Sequence, residues 1–242
     1  MLYYEYSDFY LFEKGLTDLK IDLSNHQKQQ FVDYYELLIE RNNVMNLTAI
    51  TEFRDVVIKH FIDSLSISKV SQLSCEKIID LGTGAGFPGI PLKIAFPELD
   101  MLLLDSLNKR ILFLDEVIEK LQLDKVFARH GRAEDYGRDK IYREQFDLCV
   151  SRAVAKLSSL SEYCLPFVKK DGYFISYKSG SIEEELQESS HAFQLLGAKV
   201  DNIIEFQLPG TDIERMLVCL KKYSNTSKLY PRSAGKPTKE PL

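Results

Sequence analysis

The sequence lacks the patterns that would mark a metal-binding cysteine cluster or a membrane span. Its four cysteines stand far apart, at positions 75, 149, 164 and 219, with no CxxC pair. This spacing excludes a zinc knuckle and a thioredoxin-like site, and it predicts reduced thiols. No stretch approaches the roughly 18 apolar residues that a membrane helix needs. Residues 1–12 are apolar, but Glu5 and Asp8 interrupt them without a basic start or a cleavage site, so we expect a cytoplasmic protein.

Glycine and proline are also scarce, with 12 and 8 residues among 242. Hydrophobic residues make up 45% of the chain and charged residues 28%. This composition excludes a disordered or collagen-like polymer, because there is enough apolar surface to bury. A chain of this length can form one large domain or two small ones.

Charge is distributed unevenly along the chain. The net charge is −5, yet residues 221–242 hold six Lys or Arg against the single acid Glu240. This end therefore carries +5 and the remainder −10. The acidic total argues against a protein that coats nucleic acid indiscriminately, whereas the basic end fits either a local phosphate contact or a solvated tail.

The first 70 residues have helical patterns. Ser24 and Gln27 have the spacing of a capping box, and apolar residues then recur at helical intervals, which predicts a helix over 25–41. Asn42 and Asn43 are expected to break this helix. A second helical pattern covers about 52–68. We therefore predict an N-terminal helical extension over residues 1–70, packed on the domain that follows.

From residue 77 short apolar runs alternate with amphipathic segments, which predicts βα units and a parallel sheet. The predicted strands are 77–81, 101–105, 126–130, 146–151, 173–177, 200–208 and 216–220. Helical patterns occupy 88–95, 108–121, 156–165 and 181–196. Pro209 and Gly210 form a turn between the last two strands, so the sheet should end in an antiparallel hairpin. We assign residues 71–222 to this α/β domain and 223–242 to a basic C-terminal tail.

One glycine-rich segment, residues 78–89, carries the clearest chemical signal. It begins as a strand and turns through glycines, which permit close approach of the backbone to a ligand. Gly84, Gly86 and Gly89 match GxGxxG, and Asp105 ends the next strand, where a carboxylate can bind the two hydroxyls of a ribose. This pattern fits a dinucleotide as well as another nucleoside.

Asp80 separates these two interpretations. A carboxylate at this position would oppose a pyrophosphate, but it can organise the loop around a ligand that carries an ammonium and a sulfonium. The segment reads Asp80-Leu81-Gly82-Thr83-Gly84-Ala85-Gly86 and resembles the first motif of the Rossmann-like S-adenosylmethionine methyltransferases. The resemblance implies S-adenosyl-L-methionine as the cofactor, with Asp80, Gly82, Gly84, Gly86 and Asp105 at its site. It also implies an α/β fold with a mostly parallel seven-stranded sheet whose last strand is antiparallel.

The segment after the fourth predicted strand bears on the methyl acceptor. Adenine-N6 and cytosine-N4 enzymes carry Asn/Asp-Pro-Pro-aromatic there, whereas this chain has Ser151-Arg152-Ala153-Val154-Ala155, which disfavours an exocyclic amine as the target. Cys149 lies within the apolar strand, so a buried structural thiol is favoured over a nucleophile. Arg152 lies at the edge where ligands bind in open α/β sheets, although an arginine can also form a surface ion pair there.

Several short segments, taken in order, narrow the family. They are residues 42–51, 60–65, 82–91, 131–134, 151–155 and 230–237. Together they are similar to the 16S ribosomal RNA guanine-N7 methyltransferases, also called glucose-inhibited division protein B, over nearly the whole chain. Two positions depart from the family pattern. Arg41 stands where a Trp is expected, and Ser233 stands where a second Arg usually follows Arg232.

The resemblance implies roles for individual residues. Gly82 and Phe87 would contact the cofactor through the loop, and Ala133 and Glu134 would lie beside its adenine, although an acid here can also simply start a short helix. Arg152 would line the pocket near the cofactor and the target, and it is the predicted catalytic residue, acting without proton transfer. The implied substrate is a guanine of 16S ribosomal RNA or of the small ribosomal subunit, and we expect a monomer.

Two other functions stay open from the sequence alone. GxGxxG and Asp105 also suit an NAD-dependent oxidoreductase, but no hydride-transfer pair of Tyr and Lys or of His and Asp is recognisable. A non-catalytic RNA-binding ribosome-assembly factor would share the fold. The intact glycine loop, with Asp80 and Asp105, indicates that the chain still binds a cofactor, which argues against such a non-catalytic factor.

Two groups outside these motifs also invite a functional interpretation. His60 and Asp63 lie three residues apart on a helix, but no third ligand is spaced to join them, so we predict no metal and a packing or hydrogen-bonding role. An aromatic cluster near the start could stack on RNA bases, but core packing is favoured. Its members are Tyr3, Tyr4, Tyr6, Phe9 and Tyr10.

Overall fold

The computed structural model describes residues 6–71, 73–74, 76–153 and 155–242. Two helices come first, α1 (Tyr6–Asp18) and α2 (Asn25–Met45). The predicted capping box of α2 is confirmed, because the Gln27 backbone N–H donates to Ser24 Oγ over 3.2 Å and the Ser24 backbone N–H donates to Gln27 Oε1 over 2.9 Å.

The expected helix break at Asn42 and Asn43 is wrong, since α2 continues to Met45. The reason is that the Asn42 side chain closes the turn after the helix instead of breaking it. Its Oδ1 accepts hydrogen bonds from the backbone N–H groups of Leu47, over 2.7 Å, and Thr48, over 2.9 Å. The residue that follows α2, Asn46, caps the helix and has the left-handed backbone conformation typical of a helix C-terminus.

A continuous helical segment covers residues 53–69, close to the predicted 52–68. It consists of α3 (Phe53–Val56), a π-helix (Val57–Ile62), α4 (Asp63–Leu65) and a 3-10 helix (Ser66–Lys69). Phe61 lies in the π-helix and packs on Phe31 of α2 with ring centroids 4.9 Å apart. The N-terminal helices therefore share one apolar core with the sheet.

The sheet has seven strands in the order β3-β2-β1-β4-β5-β7-β6. They are β1 (Lys77–Leu81), β2 (Asp100–Asp105), β3 (Val126–His130), β4 (Phe146–Ser151), β5 (Val168–Lys178), β6 (Ala198–Gln207) and β7 (Glu214–Lys222). β7 runs antiparallel to β5 and to β6, while β1 to β5 pair in parallel. The predicted fold class is confirmed. β5 begins before the predicted residue 173, because Val168 already pairs with Phe146 ahead of a register shift.

Helices cover both faces of the sheet. They are α5 (Gly89–Ala95), α6 (Asn108–Lys120), α7 (Ala133–Tyr136), α8 (Leu157–Cys164), a 3-10 turn (Leu165–Phe167), α9 (Glu183–Leu195) and α10 (Lys236–Lys239). Side chains alternate across each strand, so Ile78 faces the core beneath the N-terminal helices and Ile79 faces a second core. No helix in the described part of the chain is long and apolar enough to cross a bilayer.

The basic end is not a freely solvated tail. Lys222 is fully buried, and its ammonium donates to the carbonyl oxygens of Leu165, over 2.8 Å, and Val168, over 3.1 Å. Arg232 forms a forked ion pair with Glu162 of α8, whose carboxylate is buried. Two of the six basic side chains therefore hold the fold together, and the other four remain at least partly exposed, namely Lys221, Lys228, Lys236 and Lys239.

The cysteines and the aromatic start of the chain agree with packing roles where they are described. Cys149, Cys164 and Cys219 are free and buried, and burial raises the pKa of the Cys149 thiol well above its usual value. Phe9 packs against the core, whereas Tyr10 is 61% exposed. Cys75 and the side chains of Tyr3, Tyr4 and Tyr6 lie outside the described residues.

Candidate active site

A pocket of about 730 Å³ opens at the carboxyl ends of β1, β2, β3 and β4. This is the edge at which open α/β sheets bind their ligands. Among the predicted site residues, its walls include Gly82, Gly84, Asp105, Ala133, Glu134 and Arg152. Asp80, Gly86 and Phe87 do not line it.

The glycine loop needs its glycines for two different reasons. Gly82, Gly84 and Gly86 all have positive φ, at 71°, 64° and 103°, which residues with a Cβ rarely adopt. A Cβ on Gly84 would meet only the Gly82 carbonyl oxygen, at 4.0 Å, so this residue presents bare backbone to the pocket. A Cβ on Gly86 would instead collide with Ile90 and with the Tyr34 hydroxyl, each 2.7 Å away. Gly84 thus serves the pocket, and Gly86 serves the packing beneath it.

Asp80 organises the loop from inside the protein. Its Oδ2 accepts hydrogen bonds from the Thr83 hydroxyl, over 2.6 Å, and from the Gly89 backbone N–H, over 2.8 Å. Its Oδ1 is buried and has no hydrogen-bond partner within the described part of the chain. Burial raises the pKa of Asp80 to about 7, because the charged form is poorly solvated there.

Asp105 connects β2 to the same loop. Its Oδ2 accepts from the Gly84 backbone N–H over 2.9 Å, and its Oδ1 accepts from the Leu107 backbone N–H over 2.9 Å. Arg110 of α6 forms an ion pair with it at 3.1 Å. Sequence reasoning missed Arg110, because its contact with Asp105 requires the loop between β2 and α6 to turn back on the strand.

Glu134 joins the pocket to the C-terminal segment. It is buried in the first turn of α7, and its Oε1 accepts a hydrogen bond from the Gly235 backbone N–H over 2.8 Å. Gly235 and Thr238 therefore form part of the pocket wall. The sequence resemblance over 230–237 marks this segment, but neither its composition nor its spacing indicates that it reaches the pocket.

Arg152 follows β4 at the predicted edge, but its guanidinium reaches into the N-terminal helical segment. One terminal nitrogen donates to the His60 carbonyl, over 3.2 Å, and to the Ser64 hydroxyl, over 2.9 Å. The other donates to the Lys59 carbonyl over 3.0 Å and pairs with Asp63 at 3.1 Å. The two accepting carbonyls belong to the π-helix, where the ordinary helical hydrogen-bond pattern is interrupted.

Phe87 and His60 link this arginine to the glycine loop. Their rings stack with centroids 4.2 Å apart, and the Arg152 guanidinium lies 5.8 Å from the centroid of Phe87. His60 Nε2 also lies 2.9 Å from the Thr48 hydroxyl, so the predicted hydrogen-bonding role of His60 agrees with its contacts. Burial, followed by the charge of Arg152, lowers the pKa of His60 to about 3, which keeps the ring neutral.

Comparison with known proteins identifies the family. A family model described as rRNA small subunit methyltransferase G matches residues 27–217. The chain is 57% identical over 232 residues to the ribosomal RNA small subunit methyltransferase G of Lachnoclostridium phytofermentans, covering 96% of each protein. It is 46% identical over 243 residues to the protein of the same name from Clostridium tetani, covering 100% of each.

Solved structures show the same fold at lower identity. A SAM-dependent methyltransferase from Aquifex aeolicus matches with a TM-score of 0.51 and 16% identity, covering 68% of this chain and 92% of that one. At this identity the likeness concerns the fold alone. The family match and the relatives, in contrast, extend over most of the sequence. The chain therefore belongs to the rRNA small subunit methyltransferase G family.

Proposed function

We propose that this protein transfers the methyl group of S-adenosyl-L-methionine to N7 of a guanine in 16S ribosomal RNA. The observation that carries the proposal is the pocket in which the glycine loop, Asp105 and Arg152 meet, in a chain of this family. A ribosomal RNA substrate also supports the predicted cytoplasmic location, and the predicted monomer stays part of the proposal.

The pocket residues fit S-adenosylmethionine in size and chemistry. A volume of about 730 Å³ lies within the range of ligand pockets, roughly 300 to 1,000 Å³. In this proposal the backbone at Gly82 and Gly84 approaches the ligand, and Asp105 accepts from the ribose hydroxyls. Asp105 already accepts four hydrogen bonds. The two from Arg110, over 3.1 and 3.4 Å, are the longest, so the ribose hydroxyls would take the place of Arg110. Ala133 and Glu134 would hold the adenine.

The remaining predicted residues act on the loop. Asp80 fixes its two ends by accepting from Thr83 and Gly89. Gly86 allows the loop to pack on Tyr34, and Phe87 couples it to the ring of His60. These three residues would position the cofactor without touching it.

The chemistry of the target explains why no general base is needed. Guanine N7 has an in-plane lone pair and no proton, so it can attack an electrophilic methyl group directly. S-adenosylmethionine supplies that methyl group when bound. The protein has to align the purine and exclude water, which are contributions of proximity and orientation. Arg152 would fix the pocket wall between the glycine loop and the target guanine, because its two terminal nitrogens already anchor the end of β4 to the helical segment.

The test is a transfer assay with methyl-labelled S-adenosylmethionine. Naked 16S RNA and small ribosomal subunits are offered in parallel, and the product is cleaved at N7-methylguanine by mild reduction followed by aniline. We expect label in the RNA and cleavage at one guanine. RNA binding without label transfer to either substrate would instead favour a non-catalytic assembly factor.

Gly84→Val should reduce S-adenosylmethionine affinity by at least about 100-fold, a loss near 3 kcal/mol. The added side chain would project into the open pocket from a residue with φ of 64°. Isothermal titration calorimetry measures the affinity. Gly210→Val is the matched control, since Gly210 has φ of 72° in the turn between β6 and β7. It carries a similar backbone strain, roughly 1 to 3 kcal/mol, away from the pocket. Equal affinities of the two variants would contradict this placement of the ligand.

Arg152→Lys should slow single-turnover methylation by about 10-fold or more, because an ammonium keeps the charge but cannot serve two sets of acceptors at once. The guanidinium spans Asp63 on one nitrogen and Ser64 on the other. Rapid-quench measurement with saturating cofactor reports the transfer step itself. Arg129→Lys, at an exposed arginine on the edge strand β3, should leave this rate unchanged. If Arg152→Lys transfers methyl groups at the wild-type rate, the two-nitrogen geometry of the guanidinium does not contribute to the transfer step.

A further inference from the structure

A second cavity adjoins the pocket just described. Its volume is about 490 Å³, and the two share Arg152, Ala153 and Ala155 as a common wall. Its other polar residues include Asp63, Lys156, Tyr177, Lys178, Glu185 and Arg215. It lies where β4 and β5 end and β7 begins. Because β7 is antiparallel to β5, Arg215 at its start reaches the same edge as Lys178 at the end of β5.

Two arginines in this cavity share a single carboxylate. Asp63 is buried, with Oδ2 at 3.1 Å from a terminal nitrogen of Arg152 and Oδ1 at 3.1 Å from Nε of Arg215. One negative charge cannot balance two guanidinium groups. The trio therefore presents one net positive charge in partly buried surroundings, where attraction to an anion is stronger than in open solvent.

The other charged residues that line the cavity do not cancel this excess. Lys178 pairs with Glu185 at 2.7 Å and donates to the Ala155 carbonyl over 2.9 Å, so that pair is neutral. Lys156 lies at the rim and is only loosely paired with Glu188, at 3.4 Å. The cavity thus combines the two arginines and Asp63, with a net charge of +1, with the ammonium of Lys156 at its entrance.

Arg215 has donors left for a ligand. Its Nε binds Asp63, and one terminal nitrogen donates to the Glu214 carbonyl over 3.1 Å. A guanidinium carries five N–H groups in a fork that matches phosphate geometry. The side chain is 21% exposed, so it is held in place and still accessible from the cavity.

We propose that this cavity binds a backbone phosphate of the substrate RNA beside the target guanosine, with Arg215 as its principal donor. The inference rests on the proposed function, because an RNA substrate supplies one phosphate for each nucleotide and a base held against Arg152 brings its own linkage to the adjoining cavity. The shared carboxylate of Asp63 would then couple two events, since the same group anchors Arg152 in the wall of the methyl-transfer pocket and Arg215 beside the phosphate.

The experiment combines a protein variant with neutralised RNA linkages. A short RNA that contains the target guanosine is prepared with a single methylphosphonate at each linkage in turn, and its affinity is measured for the wild type and for Arg215→Gln. A methylphosphonate at one linkage next to the target should lower the affinity of the wild type about 10-fold, as expected for a lost charge-assisted contact. Arg215→Gln should bind unmodified RNA about 10-fold more weakly and lose nothing further at that linkage.

Salt dependence gives a second readout. The slope of log K against log salt should fall by about 0.7 to 0.9 in Arg215→Gln, the amount expected for one lost phosphate contact. Lys199→Gln removes an exposed cation of β6, which pairs with Lys221 at the end of β7 farthest from Arg215. It should change neither the salt slope nor the loss of affinity at the methylphosphonate linkage. S-adenosylmethionine affinity should stay at the wild-type value in Arg215→Gln, which also checks that the variant is folded.

The outcomes separate this inference from the proposed function. If the wild type binds RNA but transfers no methyl group, the proposed function fails, while the linkage data still test the phosphate site. If the methylphosphonate lowers the RNA affinity of the wild type and of Arg215→Gln equally at every linkage, Arg215 does not hold a phosphate and the inference is overturned. Should Arg215→Gln not fold, Arg215→Lys takes its place. This variant keeps the charge, so it should retain the salt slope. Its loss of affinity at the methylphosphonate linkage should be smaller than that of the wild type. An equal loss would likewise overturn the inference.

Discussion

Replacing Arg232 by alanine should lower the free energy of unfolding by about 3 to 5 kcal/mol. Arg232 forms a forked pair with Glu162, in which Nε donates to Oε1 over 2.9 Å and a terminal nitrogen donates to Oε2 over 2.6 Å. Glu162 is fully buried on α8, so the substitution leaves an ionised carboxylate without its charge partner. Urea unfolding followed by circular dichroism measures the change.

Two further variants test the cause of this loss. Lys236→Ala removes an exposed ion pair with Glu240, at 3.5 Å, and should change stability by less than about 0.5 kcal/mol. The double variant Arg232→Met with Glu162→Leu removes both charges and should recover most of the lost stability. If the double variant is as unstable as Arg232→Ala alone, the loss comes from packing and not from the unpaired carboxylate.

Two buried groups beside the glycine loop should give the protein opposite pH dependences that nearly cancel. Burial lowers the pKa of His60 to about 3, from 6.5. Burial raises the pKa of Asp80 to about 7, from 3.8. Between pH 4 and 6.5 the unfolded chain holds a proton on His60 that the folded chain lacks, so this group destabilises the fold as pH falls. Over the same range the folded chain holds a proton on Asp80 that the unfolded chain lacks, so this group stabilises the fold as pH falls.

Single substitutions should uncover each half of this balance. Relative to the wild type, His60→Gln should gain stability on acidification by about 1.4 kcal/mol per pH unit, or roughly 3 kcal/mol from pH 6.5 to 4. Asp80→Asn should lose stability by a similar amount over the same range. Chemical denaturation at several pH values gives both slopes, and groups common to all three proteins cancel in the comparison. Parallel stability curves for the two variants would contradict the opposed titrations.

The elements with strong local signals could be predicted from the sequence. The strands of the sheet are short apolar runs between polar helices, and the start of α2 follows from the hydrogen-bonding capacity of Ser24 and Gln27. The glycine loop could be predicted because positive φ values favour glycine over other residue types. In each case the physical cause lies within a few residues of the element.

What escaped prediction depends on partners distant in sequence. Arg152 was expected to face a ligand or the surface, and its acceptors are carbonyl oxygens that a π-helix presents some 90 residues earlier. Glu134 was expected beside adenine, and it also binds the backbone of Gly235. The basic end suggested either a local phosphate contact or solvated charge, whereas Lys222 and Arg232 have buried partners. No local pattern specifies such pairings, because they exist only once the sheet is assembled.

The strand order has a consequence for how the chain reaches its native state. β6 and β7 are joined by a tight turn, so they can pair after closing a short loop. β1 lies between β2 and β4, and each of these contacts requires closure of a longer crossover. Closing a longer loop costs more entropy, so we expect the hairpin to pair before β1 has both of its neighbours. Asp80 lies on β1, and its loop is set only when both neighbours are in place. A ligand that binds at the ends of β1, β2 and β4 can therefore stabilise only those chains in which these strands have already paired.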